Sequence, residues 1–331
     1  MRAFLGLWFL IVALGATVPA LAEGRIRIAA QYGIAFLPLY VVQDQQLIEK
    51  HARSQGVDIS VDWVKVGGGS AANDALLSGS VDVTSGGIGP ALTIWDRTRG
   101  SLDVKAVAAL GCQPLLLVTN NPQVRSIKDL TPGDKIALPA VGISVHARTL
   151  QIAAEQAFGP GKHEALDALT ISLPHPDAAT ALLSGSKQIT AHFSNAPFSY
   201  RELRDPNIRT ILSSYDVLGG PATGSLIYTT SKFRADNPKT YRAFVAAVAE
   251  ATTWIRNNKA AAAETYIRIE QSKLSQEEVQ AVIGDKDFEF TTTPRQTFKY
   301  AEFMARIRAI RRKPDTWRDY FFDDFYDQSG S

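Results

Sequence analysis

Two stretches decide how this chain reads: ALLSGSVDVTSGG, Ala75–Gly87, and ALLSGSKQITAHF, Ala181–Phe193. Each opens as the end of an amphipathic helix, stops at a glycine (Gly79, Gly185) and passes into a short apolar run. Glycine just past a helix end supplies the left-handed conformation that closes it. Ahead of the first stretch lie an alternating run, RIRIAAQ from Arg25, a helical run, VVQDQQLIEK, and a second alternating run, VDISVDWVKV from Val57. GGGS, Gly67–Ser70, then opens the helix AANDALL, with Ser70 placed to cap it and Leu77 expected in a core; VDVT is the next strand and SGGIGP a flexible turn. Ahead of the second stretch the order recurs. KIALP from Lys135 is a strand, AVGIS a loop with Ser144 as cap, and VHARTLQIAAEQAF a helix closed by Gly159. LTISL is the second strand, PHP its loop, Asp177 the cap of AATALL, KQITAHF the third strand and SNAP the loop beyond it. Ala-Leu-Leu alone recurs by chance in helices; the matched order of strands, caps and glycine stops is what marks a repeat.

Two βαβαβ units in one chain predict an α/β fold of two lobes with mostly parallel sheets, whose strand ends offer loops to a ligand at the switch points. CQPLLLVTNNP and GGPATGSLIYTT are extended, apolar in the middle and bounded by Gly, Pro or Asn, and are the expected crossovers. The expected organisation is a signal peptide over 1–22, lobe I over 23–112, lobe II over 113–222, and a return to lobe I over 223–331. The return carries helical periodicity in YRAFVAAVAEATTWIRNN, KAAAAETYIRIE and TPRQTFKYAEFMARIRAI. The aromatic tail DTWRDYFFDDFYD is expected to dock on the core, because left free it would be an exposed apolar patch.

The signal peptide rests on Arg2, the short apolar run FLGLWFLIVAL and ALA at Ala20–Ala22, which predict export with cleavage near Ala22. The apolar run is shorter than the roughly 20 residues of a spanning helix. Without Arg2, Lys and Arg number 34 (35 less one) against 33 Asp and Glu, a balance unsuited to coating nucleic acid or anionic lipid. Cys112 is the only cysteine, so no internal disulfide can form.

Candidate binding residues follow from the loops. QYGIAFLPLY places Gln31, Tyr32 and Phe36 at the end of the first strand, where one polar and two aromatic side chains suit a pocket or a core. Backbone N–H groups of Gly68, Gly69 and Ser70 are placed to approach a small ligand at a helix start, although a tight strand-to-helix turn explains the glycines too. AVGIS, with Ser144, is their counterpart; each helix start favours an anionic group by roughly 0.3–1 kcal/mol. Gly86, Gly87 and Gly89 permit close backbone approach, whereas AHFSNAP carries His192, Phe193, Ser194 and Asn195, a mixture of donors, acceptors and an apolar face. His192 reads equally well as a structural histidine.

Catalytic signatures are missing. There is no G-x-G-x-x-G, P-loop, H-E-x-x-H or G-x-S-x-G, and the carboxylates are scattered, so no catalytic residue, metal site or cofactor is expected.

With its export signal and paired α/β units, the chain resembles the periplasmic solute-binding proteins of ABC importers, in the nitrate/taurine/sulfonate and thiamine-precursor (NMT1-like) group. RIRIAAQYGIAFLPLYVVQDQQLIEK, AANDALLSGSVDVTSGG, SIKDLTPGDKIALP, DAATALLSGSKQITAHFSNAPF and VLGGPATGSLIYTTSKF carry the resemblance. It implies a type II two-lobe fold crossed twice by the chain, with ligand held between lobes that close about the crossovers. It implies a cleft lined from QYGIAF, GGGS, GGIG, GIS-H, HFSN and PATG, which adds Ile88, His146, Thr223 and Gly224 to the candidates. The implied partners are a small-molecule ligand and an ABC permease with its ATPase, with no nucleic acid and a monomeric chain. Ser70, Ser144 and His146 suit an anion; Tyr32, Phe36 and Phe193 suit a flat pyrimidine ring; both stay open. One alternative is a pyrimidine-building enzyme of the same fold, which relies on a cysteine-rich motif where this chain has Cys112 alone. Others are a ligand-sensing subunit of a membrane receptor, and an effector domain, which would need an N-terminal helix-turn-helix.

Overall fold

The structure, a computed structural model, describes residues 23–331; the expected signal peptide lies outside the described residues. Ten strands form in chain order: β1 (Arg25–Ala30), β2 (Ser60–Lys65), β3 (Val83–Gly87), β4 (Val104–Ala109), β5 (Leu116–Thr119), β6 (Ile136–Leu138), β7 (Thr170–Ser172), β8 (Ala191–Ser194), β9 (Arg209–Ser213) and β10 (Ser225–Thr230). They make two five-stranded sheets, β2-β1-β3-β10-β4 and β7-β6-β8-β5-β9. In the first, β1 runs parallel to β2 and β3 while β10 is antiparallel to β3 and β4. In the second, β6 runs parallel to β7 and β8 while β5 is antiparallel to β8 and β9. Each antiparallel strand is the one that follows a crossover, so each sheet is completed by chain arriving from the other. The mostly parallel, two-lobed α/β architecture expected from the repeat is therefore present, with one strand exchanged in each direction.

The helices up to the second crossover are α1 (Leu37–Asp44), α2 (Leu47–Arg53), α3 (Gly69–Leu77), α4 (Ile88–Arg97), α5 (Val145–Phe158), α6 (His175–Leu183), α7 (Phe198–Glu202) and α8 (Ser214–Leu218). After it come α9 (Ser231–Asp236), α10 (Pro238–Asn257), α11 (Lys259–Glu270), α12 (Gln276–Gly284) and α13 (Thr297–Arg306). The repeated words end α3 and α6 identically. Ser78, Gly79 and Ser80 donate backbone N–H groups to Asp74, Leu76 and Ala75, as Ser184, Gly185 and Ser186 do to Thr180, Leu182 and Ala181. Gly79 and Gly185 sit at φ 69° and 67°, the region that favours glycine.

Three local expectations are corrected. Ser70 and Asp177 do not cap: α3 starts one residue before Ser70, behind Gly68, and α6 starts behind Pro174, with Pro176 fixing its first turn. Leu77 is 43% exposed while Leu76 is buried, because the helix face turned to the core ends at the first leucine of the pair. SGGIGP is not a flexible turn, since β3 runs through Gly87 directly into α4. Ser144 does cap α5, its Oγ accepting from the Ala147 N–H at 3.2 Å.

The main apolar core runs beneath both sheets and through the seam between them; a smaller one lies under α6 around Val118, Ala178, Leu182 and Ile208. The aromatic tail docks as expected: Trp317, Tyr320, Phe321, Phe322 and Phe325 are buried, and the Phe322 N–H donates to Ala106 O on β4 at 3.0 Å. A further segment lies along the crossovers, with Cys112 and Glu289 exchanging backbone hydrogen bonds and the Thr223 N–H donating to Arg295 O. No helix among the described residues is long and apolar enough to cross a membrane.

Candidate functional site

The carboxyl ends of the parallel strands face one another across the seam, and glycines set how closely they meet. An added Cβ at Gly68 would stand 2.6 Å from Pro139 O, at Gly87 3.0 Å from Val145, and at Gly89 2.3 Å from Ile143 O. None of these three lies in the left-handed region, so the need is for space. Gly33 combines both demands, with φ 115° and a Cβ position 2.8 Å from Asn195 Nδ2. The Ile34 N–H donates to Ala196 O at 3.0 Å, and Asn195 Nδ2 donates to Tyr32 O at 3.4 Å. The closed seam leaves a hollow of about 20 Å³, room for a single water. A larger open groove of about 660 Å³ lies elsewhere, between α5, α8 and α13. Its basic side chains are engaged, Lys299 with Leu218 O, Arg306 with Glu155 and Lys313 with Glu302.

Of the residues expected at a site, Gln31, Tyr32, Phe36, Gly69, Gly87, Ser144, His146 and Asn195 line the hollow. The others stand apart from it. Ser70 is exposed and faces an outer recess with Asp74 and Arg97. Gly68 and Gly89 serve lobe contact, and Ile88 and Phe193 are core. Ser194 is buried beside Asn195, whose carbonyl its hydroxyl approaches at 3.4 Å. Thr223 Oγ1 accepts from the Arg295 N–H at 3.0 Å, and Gly224 borders a separate small void. His192 is fully buried behind the hollow. Sequence reasoning missed Gln113, Leu115 and Ser225 from the crossovers, and Pro90, Pro139, Val145 and His175. One signal for His175 was available: Ala75 and Ala181 are 106 residues apart, and that offset aligns Gly69 with His175, both the first residue of a helix.

Behind the wall runs a buried polar chain. His192 Nδ1 lies 2.6 Å from Glu202 Oε1, and His192 Nε2 lies 2.8 Å from His175 Nδ1. His146 meets His175 edge-on at 4.8 Å between ring centres and Phe193 at 5.5 Å. Burial holds the His146 ring down at about 3 and the His175 ring well below the usual imidazole range, so both are neutral near pH 7. Neither ring nitrogen of His146 has a partner, nor does Asn195 Oδ1 or Gln113 Oε1. An unpartnered buried polar atom costs about 1–3 kcal/mol, so the hollow holds polar groups that a bound molecule would satisfy. None of the side chains lining it is Asp, Glu, Lys or Arg. Lys65, behind Tyr32 and Tyr40, is paired with Glu270. Three helix starts, at Gly69, Val145 and His175, also meet the hollow and add their positive ends. Burial pushes the Cys112 thiol up to about 11, which keeps it protonated and a poor nucleophile. The described residues contain no group of three or more His, Cys, Asp or Glu arranged to hold a metal ion.

The fold and this geometry have counterparts among solved structures. The alkanesulfonate-binding protein SsuA of Xanthomonas axonopodis pv. citri, bound to MOPS, is 19% identical at a TM-score of 0.68, over 88% of this chain and 95% of that one. The periplasmic aliphatic sulphonate binding protein SsuA of Escherichia coli is 19% identical at 0.65, over 93% of each chain. The periplasmic nitrate-binding protein NrtA of Synechocystis PCC 6803 is 15% identical at 0.69, over 89% and 84%. At such identities the likeness is one of fold, that of periplasmic binding proteins. Among curated proteins none matches this chain. The sequence profile of the NMT1-like family matches residues 26–269, most of the chain, and the protein belongs to that family.

Proposed function

We propose that the protein is the periplasmic substrate-binding component of an ABC importer, which captures a small polar solute between its lobes and hands it to a membrane permease. The observation that carries this reading is the hollow itself. It lies where both units present strand ends and helix starts, and its walls hold unpartnered polar atoms on His146, Gln113 and Asn195. The sulfonate- and nitrate-binding neighbours, and the family, support it. A solute larger than a water enters only if the lobes part, and among the described residues the chain passes from one sheet to the other at 110–115 and 214–224, the natural hinges. Contacts made to both lobes at once stabilise the closed form, so binding and closure are one equilibrium.

The test is a panel of sulfonates, nitrate, carboxylates and pyrimidines, read by melting temperature and by small-angle scattering. A solute present at 100 times its Kd stabilises by about 2.7 kcal/mol, a rise of several degrees. One chemical class raising the melting temperature while narrowing the radius of gyration supports capture. Silence across the panel, or turnover of a panel compound seen by mass spectrometry, overturns it.

A further inference from the structure

We propose that Glu202, which does not reach the hollow, fixes through His192 which nitrogen of His175 carries a proton, so that His175 presents an N–H donor to the bound molecule. Glu202 and His192 are both fully buried, and among the described residues the only hydrogen bond made by the Glu202 side chain is the 2.6 Å contact with His192 Nδ1. The other carboxylate oxygen, Oε2, is unpartnered, and among the described residues no cation other than His192 pairs with Glu202. A fully buried pair with no further counter-charge is most stable when net neutral, with one proton shared along the 2.6 Å contact. If the proton sits on the imidazole, His192 carries hydrogens on both nitrogens. If it sits on the carboxyl, the acid donates to Nδ1 and the neutral ring carries its hydrogen on Nε2. In both cases His192 Nε2–H points along the 2.8 Å contact to His175 Nδ1, which must accept. His175 is then left with its single hydrogen on Nε2. His175 lines the hollow, and its Nδ1 is spent on His192.

The consequence for recognition is a fixed polarity. His146, on the same wall with both nitrogens unpartnered, can adopt either tautomer; His175 cannot. Glu202 is thus a positioning residue for the capture site. The ligand atom that meets His175 is an acceptor: a carbonyl or oxyanion oxygen, or an unprotonated ring nitrogen. This last step rests on the proposed capture function. The tautomer does not, and is measured in the unliganded protein.

The experiment is two-bond ¹H–¹⁵N correlation of the full chain labelled at histidine, near pH 7, with ring signals assigned through single His→Gln variants. The expected result is a neutral His175 protonated on Nε2, with a proton strongly shifted downfield at the His192–Glu202 contact. In Glu202→Gln the downfield proton is lost and His175 becomes a mixture of both tautomers; Glu202→Asp restores the original signals. A variant that merely loosened packing would not move the tautomer in this pattern. His175 protonated on Nδ1 in the original protein overturns the proposal, and so does an unchanged His175 spectrum in Glu202→Gln. Should Glu202→Gln fail to fold, the spectrum of the original protein decides alone. Failure of every panel compound to bind would remove the capture reading and leave the tautomer result standing.

Discussion

Gly89 on α4 faces the carbonyl oxygen of Ile143 in the other unit so closely that an added Cβ would stand 2.3 Å from it. Backbone cannot retreat as a side-chain tip can. The position lies in the first turn of α4 and every atom in conflict belongs to the other unit, so the conflict exists only while the lobes are closed. Gly89→Ala is therefore expected to fold with both sheets intact yet to populate an open form. Scattering should show a larger radius of gyration, and affinity for any panel ligand should fall at least tenfold, about 1.4 kcal/mol. Unchanged scattering and affinity would place the seam elsewhere.

His146 sets a pH dependence whose sign can be worked out. Its folded pKa, about 3, lies below the ordinary value of 6.5 because burial disfavours the cation. The unfolded chain therefore binds the extra proton over that interval, and the stability this neutral ring permits is complete above about 6.5 and lost as pH falls towards 3. His175 adds in the same direction. Between pH 7.5 and 5 the original protein should lose stability in urea. His146→Gln should reduce that loss by about 1–2 kcal/mol. Equal losses in both proteins would show that the ring is protonated in the fold.

How much of this was written in the sequence follows the range of each signal. Alternation in RIRIAA, the periodicity of VHARTLQIAAEQAF and the stops at Gly79, Gly159 and Gly185 are local, and each element formed. The helix α12 went unread although Ser275 and Glu278 announce it as a capping box. The place of the seam was legible, and the close packing across it was not. Gly87 and Gly89 read as room for close backbone approach; they make room for Val145 and Ile143, which are distant in sequence and adjacent only once both sheets exist, and Gly87 also lines the hollow. Glu202 gave no signal either, since one carboxylate in FSYRE acquires meaning only when folding sets it against His192.

Leu76 and Leu77 make a sharp local contrast. Leu76 is 3% exposed beneath α3, and Leu77 is 43% exposed at the same helix end. Leu76→Ala should cost about 2–4 kcal/mol by emptying a packed site. Leu77→Asp should cost about 0.3–1 kcal/mol, the penalty of a negative charge at a helix C-terminus. Urea midpoints of the two variants check this, and a reversed order would mean that α3 is turned about its axis.

Arg306 on α13 grips Glu155 on α5 with two bonds, 2.8 Å to Oε1 and 2.5 Å to Oε2, while Tyr300 of the same helix meets Thr149 at 2.8 Å in a buried contact. These contacts tie the C-terminal segment to the unit that contains α5. The Arg306 guanidinium, with the Gly161 N–H behind it, holds the Glu155 carboxyl down at about 2. A depressed carboxylate contributes stability that is present above its ordinary value near 4.5 and is lost as pH falls towards 2. Arg306 is largely exposed to solvent although Glu155 is mostly covered, which limits the pair to about 1 kcal/mol. Arg306→Ala should thus lower the melting temperature by a few degrees at pH 7 and by progressively less below pH 4.5, with the two curves converging near pH 2. High salt should narrow the same gap at pH 7, because exposed charges are screened. A gap that is constant with pH and salt would mean that α13 is held by Tyr300 and its apolar face, with the ion pair contributing nothing.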